Sequence, residues 1–207
     1  MKPKVFLFIS SLFSWLFISF VLFPSNSSIT NLTQIVYKTM QAHFESDTQL
    51  IGISNYKKFA DSFPVEQKFQ KPAGLFITLS LNNAGQSQSR ACWGSVNPEY
   101  ADLVKATVYT TIGALTKEYR YSPIRKDEWK RLKAQVTIIN AIEPVKSIRS
   151  INPLKDGLMI RSGNKSGVIL PGEAMDSHYQ LILAKLKAGI KKNEGFQIYR
   201  LKTEIHK

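Results

Sequence analysis

Six consecutive residues, Ser89-Arg90-Ala91-Cys92-Trp93-Gly94, bring together a guanidinium, the chain's single thiol and a glycine. On an extended strand side chains alternate between faces, so Arg90 and Cys92 fall on one face and Ala91 and Trp93 on the other. A cation beside a thiol favours the nucleophilic thiolate, which makes Cys92 a candidate catalytic residue. Gly94, lacking a side chain, lets a ligand or another stretch of backbone come close. A free cysteine is also commonly a small buried hydrophobe, and that structural role stands beside the catalytic one. The second group is Glu118-Tyr119-Arg120-Tyr121-Ser122-Pro123, where a carboxylate, a fork of donors and aromatic faces share one loop. Such a set suits an anionic or planar ligand, so Arg90, Gly94, Glu118, Arg120 and Tyr121 are the candidate ligand-binding residues. In the competing reading the tyrosines pack and Arg120 bonds to backbone carbonyls.

Other chemistries lack their residues. His43, His178 and His206 form no metal-ligand spacing with each other or with Cys92, so no metal is expected. Gly163-Asn164-Lys165-Ser166 holds part of a phosphate-loop pattern, but its first glycine is missing and it reads as a hairpin turn. No dinucleotide fingerprint or nucleophile elbow occurs, and no cofactor is implied.

The elements that must position these residues follow from periodicity. Asn31 caps a helix in which Leu32, Ile35, Val36, Met40 and Phe44 recur at helical spacing. Residues 45 to 73 read as a long irregular connection. Leu75, Ile77 and Leu79 alternate with Phe76 and Thr78, Asn82 to Gly85 carries turn chemistry, and Ser89 to Val96 is the returning strand. Asn97-Pro98 marks a helix start, with Val104, Val108, Ile112 and Leu115 on one face. Arg120 to Ile124 is a loop, and Lys126 to Leu132 holds a helical turn. A strand over Ala134 to Ile139 is stopped by Glu143-Pro144. A hairpin follows at Gly157 to Arg161 and Gly167 to Leu170. Asp176 starts a helix through Leu186 that Gly189 caps, and Phe196, Ile198 and Leu201 form a last strand. This mixed order indicates an α+β fold with a mixed or antiparallel sheet.

At the N-terminus, Lys2 and Lys4 precede 19 uncharged, mostly apolar residues, Val5 to Phe23. That pattern reads as a hydrophobic helix serving as signal anchor or signal peptide over residues 1–24, its length leaning toward an anchor. Residues 25–30 form a tether, and residues 31–207 are one domain. With the lysines held inside, the domain is expected on the extracytoplasmic side of a membrane crossed by residues 5–23, or secreted if the signal is cleaved. One cysteine excludes an internal disulfide framework. The net charge of +13 suits an anionic partner. With no recognisable nucleic-acid motif, a basic nucleic-acid-binding domain rests on charge alone.

In order along the chain, these segments resemble the AMMECR domain family. The family hallmark L-R-G-C-I-G appears as Ser89-Arg90-Ala91-Cys92-Trp93-Gly94, with arginine, cysteine and the last glycine kept. Gly74-Leu75-Phe76-Ile77-Thr78-Leu79 is similar to its L-F-V-T-L strand. Ala114-Leu115 through Arg120-Tyr121-Ser122-Pro123 is similar to its D-x-R-F-x-P region, with Glu118 for aspartate. Gly157 to Arg161, Ser166 to Pro171 and Lys187-Ala188-Gly189-Ile190 match its later segments. The resemblance implies two unequal lobes with the hallmark lining the cleft between them, and Ala91 and Trp93 narrowing any pocket there. It implies no established activity, but points to MEMO-type and radical S-adenosylmethionine proteins as companions in a modification pathway.

The function expected is a membrane-anchored or exported binding or accessory module. Its cleft, lined by Arg90, Cys92 and Arg120, takes an anionic small molecule or a peptide terminus. The alternative is an enzyme using Cys92 as nucleophile in small-molecule or protein modification.

Overall fold

A computed structural model of the chain describes residues 31–45, 53–83 and 85–207. Helix α1 (Leu32–Glu45) starts where expected, with Asn31 Oδ1 accepting from the Thr33 N–H at 3.0 Å. Helix α2 (Ile53–Asp61) lies inside the stretch read as irregular. Its anchoring residues Tyr56, Phe59 and Ala60, with Phe63 just beyond its end, follow helical spacing and join the main core, a signal that the polar residues between them obscured. Strands β1 (Gly74–Asn83) and β2 (Gln86–Ser95) form a hairpin. Helix α3 (Leu103–Thr116) begins later than Asn97-Pro98 predicts, because the Asp102 side chain accepts from the Lys105 N–H at 2.7 Å and is the true cap.

Strand β3 (Lys133–Val145) runs through Pro144 instead of stopping there. Pairing with β1 ends at Gly74–Ile139, so Pro144, paired with Tyr199, lies where one side of the strand is free of β1. Strands β4 (Asp156–Ser162) and β5 (Lys165–Ile169) form the second hairpin. Helix α4 (Ser177–Ala188) has Asp176 as its cap and ends at Gly189, whose left-handed φ of 63° glycine adopts freely. Strand β6 (Gln197–His206) completes the sheet.

The six strands lie in the order β2-β1-β3-β6-β4-β5, and every pairing is antiparallel. Leu75, Ile77, Leu79 and Ala91 face α1 and α3 in the larger apolar cluster. A smaller cluster packs Leu158, Ile160 and Ile169 against α4. A third joins Phe76 and Val96, from one end of the sheet, to Met159 and Val168 from the other. The sheet curls, bringing its two outer hairpins toward each other, so that residues of the β1–β2 hairpin and of the segment after β5 line one cavity.

The expected membrane-crossing segment, residues 5–23, and the tether, residues 25–30, lie outside the described residues. Among the described residues no helix is long and apolar enough to cross a membrane. The longest are α1 and α3 at 14 residues each, against the roughly 20 a bilayer requires. The readings of a hydrophobic N-terminal helix, a membrane anchor or signal, and a single-pass or secreted location therefore gain no support from the structure and are withdrawn.

Candidate functional site

The β1–β2 register holds the first surprise for the six-residue motif. Ser80 pairs with Ser89 and Leu79 with Ala91, so Arg90 is the extra residue of a β-bulge. Alternation fails there, and Arg90 does not stand beside Cys92. It turns to Glu128, donating from Nε and Nη2, and gives a further bond to Ser122 O at 3.2 Å. The Glu128 side chain is only 8% exposed. Hydrogen bonding from Arg90, opposed by burial, holds its carboxyl below the usual range. The pair fastens the loop after α3 to the sheet; the expected activation of the thiol by Arg90 does not occur.

Glu118 and Arg120 sit at the open side of β2, an edge strand. The Cys92 N–H donates to Glu118 Oε2 at 3.1 Å, and Cys92 O accepts from Arg120 Nη2 at 2.6 Å. Glu118 Oε1 also accepts from Arg120 Nε at 2.9 Å and from its backbone N–H at 3.0 Å. The two side chains thus do for Cys92 what a neighbouring strand would do, accepting its N–H and donating to its carbonyl. Burial would raise the Glu118 carboxyl, but its bonds from Arg120 and Cys92 outweigh that and leave it below the usual range. Bonding to Glu118 holds Arg120 firmly in its charged form.

The Cys92 side chain reaches the other face, where Thr78 Oγ1 lies 3.6 Å from Sγ. Burial, then the charge of Glu173, pushes the thiol up, and the bond from Thr78 and the cations Lys187 and Arg120 only partly oppose this. The neutral thiol is the favoured form.

Above Cys92 lies a cavity of about 570 Å³. Thr78, Ser80, Ser89, Cys92 and Gln135 form its floor, Arg120 and Tyr121 one side, and Leu170 to Glu173, Leu183 and Lys187 the opposite wall. Lys187 Nζ donates to Glu173 Oε2 at 2.9 Å and to Val168 O at 3.1 Å, so a cation engages an outer-strand carbonyl on this wall as well. Of the residues expected at the site, Cys92, Arg120 and Tyr121 line this cavity, whereas Arg90, Gly94 and Glu118 do not. Glu118 acts from beneath, through Cys92 and Arg120. A Cβ on Gly94, whose φ is +157°, would stand 2.2 Å from Leu75 O and 2.6 Å from Phe76 Cα, so the close approach is by the neighbouring strand. Ala91 is fully buried on the helix side, and Trp93 packs on Gly113 of α3, where a Cβ would meet its ring at 2.4 Å; neither narrows the cavity.

Ser89, at the start of the six-residue motif, lines the cavity as expected of that motif, whereas no motif in the sequence marks Lys187, Glu173, Ser80 or Gln135 as site residues. The polar alternation of Thr78 and Ser80 was the available signal for the floor; the far wall had none. Among the described residues no group of three or more His, Cys, Asp or Glu is placed to hold a metal ion.

A curled antiparallel six-stranded sheet with a bulged outer hairpin, its edge closed by a Glu–Arg pair beside the cavity, makes this an α+β protein. The AMMECR1 family model matches residues 34–206, and the chain belongs to that family. A Thermotoga maritima protein is 32% identical over 163 residues, covering 75% of this chain and 92% of its own length. A Methanocella arvoryzae protein is 30% identical over 152 residues, covering 69% and 73% respectively. The crystal structure of the uncharacterised protein PH0010 from Pyrococcus horikoshii superposes with a TM-score of 0.69 over 84% of this chain and 88% of that one. At 22% identity that likeness shows the fold alone.

Proposed function

We propose that this chain is a binding module that takes a small anionic ligand in the cavity above Cys92. On this reading the clusters under α1–α3 and under α4 belong to two unequal lobes, and the ligand lies in the cleft between them. The observation that carries it is the placing of two cations on facing walls. Arg120 spends Nε and Nη2 on Glu118 and Cys92 O, leaving Nη1 without a partner among the described residues. Lys187 faces it from α4, with Lys207 at the margin and Glu173 the single acid of the lining. The volume of about 570 Å³ fits a small molecule, and the hydroxyl and amide floor supplies orienting hydrogen bonds. The raised thiol argues for binding over nucleophilic catalysis by Cys92.

Calorimetric titration of the purified chain with acetate, succinate and inorganic phosphate tests this. At least one should bind, and Lys187→Gln should weaken it about tenfold, the loss expected for one charged hydrogen bond of about 1.5 kcal/mol. No binding of any of the three, or equal affinity in Lys187→Gln, overturns the proposal.

A further inference from the structure

A second cavity of about 470 Å³ adjoins the first, and the two share Ser80, Ser87, Gln135 and Lys207 in their linings. Their common floor is the β1–β2 hairpin, and the register orders it. Thr78 lies opposite Cys92, Ser80 opposite Ser89, and Asn82 opposite Ser87. These are three polar rungs on one face, two residues apart, extending about 13 Å at roughly 3.3 Å per residue. Beside them on β3, Gln135 lies opposite Thr78 and Lys133 opposite Ser80. The outward face of an antiparallel sheet is ordinarily polar and open to solvent. Here Leu170, Pro171 and Leu183 stand over one end of it.

We infer that the ligand is the carboxy-terminal end of an extended acidic peptide lying along this hairpin; the inference rests on the anion-binding reading above. An extended chain repeats every two residues, the same repeat as the rungs, so its backbone amides meet Thr78, Ser80 and Asn82 in turn. About four residues cover that length. The terminal carboxylate lies between Arg120 and Lys187, and an acidic side chain near the other end meets Lys133, which lines the second cavity only. A sugar phosphate or a nucleotide offers the anion but no two-residue repeat.

Acetylated peptides of one, two and four residues with a free carboxylate and glutamate in first position test this by calorimetry. Affinity should rise with length, fall at least tenfold when the carboxylate is amidated, and fall about fivefold in Lys133→Ala for the four-residue peptide alone. Equal affinity at all lengths, indifference to amidation, or tighter binding of a nucleotide than of the four-residue peptide overturns the peptide assignment while leaving the anion site in place. If neither the peptides nor phosphate, acetate or succinate bind, the underlying site itself fails.

Discussion

Replacing Glu118 by alanine exposes how much of the cavity's rim depends on one carboxylate that does not line it. The Glu118 side chain is 3% exposed and receives bonds from the Cys92 N–H and from three nitrogens of Arg120. Its removal leaves the Cys92 N–H at the sheet edge without an acceptor, a cost of about 1–3 kcal/mol. Arg120 is 40% exposed, so water replaces most of what the guanidinium loses and that part adds about 1 kcal/mol or less. The sum is about 1–4 kcal/mol, or a fall in Tm of about 2–16 °C for a domain of this size. Arg120→Ala should cost more, about 3–5 kcal/mol, because it strands a buried carboxylate without its cation. The double variant should cost less than the two single losses together by at least about 1 kcal/mol. The Glu118 carboxyl sits below its usual range in the folded chain. Its contribution is therefore complete above the unfolded value of about 4.3 and is lost as pH falls through the lower folded value, so Glu118→Ala should flatten the acid limb of a Tm–pH curve. Urea unfolding of the four species measures the cycle. Additive losses, or a Glu118→Ala loss below about 1 kcal/mol, would refute the strand-like role of this pair.

Two further outcomes follow from the same geometry. Arg90→Ala should destabilise by about 3 kcal/mol in urea, because Glu128, 8% exposed, is left without its cation; Arg90→Ala with Glu128→Met should recover much of that. Cys92 should react with iodoacetamide more slowly in the folded chain than in urea at pH 8, with a pH midpoint above the usual thiol value of about 8.5, since burial and Glu173 raise it; a faster reaction in the folded state would restore the nucleophile reading.

Most of the elements were legible because their apolar spacing is strong, as in α1, the β1–β2 hairpin and α4. Legibility failed where a local rule competed with a tertiary one. Asn97-Pro98 looks like a helix start, but Asp102 sits where the helix meets the core and takes the cap. Pro144 looks like a strand stop, yet β3 continues because that stretch has no partner from β1.

The motif shows the same competition at the site. Read by alternation, its residues divide between two faces. With the bulge at Arg90 their roles separate further. Arg90 fastens a loop, Ala91 fills the core, Trp93 packs on Gly113, and Gly94 admits β1. Only Cys92 and Ser89 face the cavity. The opposite wall comes from residues 170–187, carried there by a sheet order that places β5 at the far edge from β2 and by the curl that returns it. A six-residue window contains neither fact. The motif therefore marks where the cavity is because it sets the shape of the hairpin beneath it, while the groups proposed above to recognise a ligand, Arg120 and Lys187, come from elsewhere in the chain.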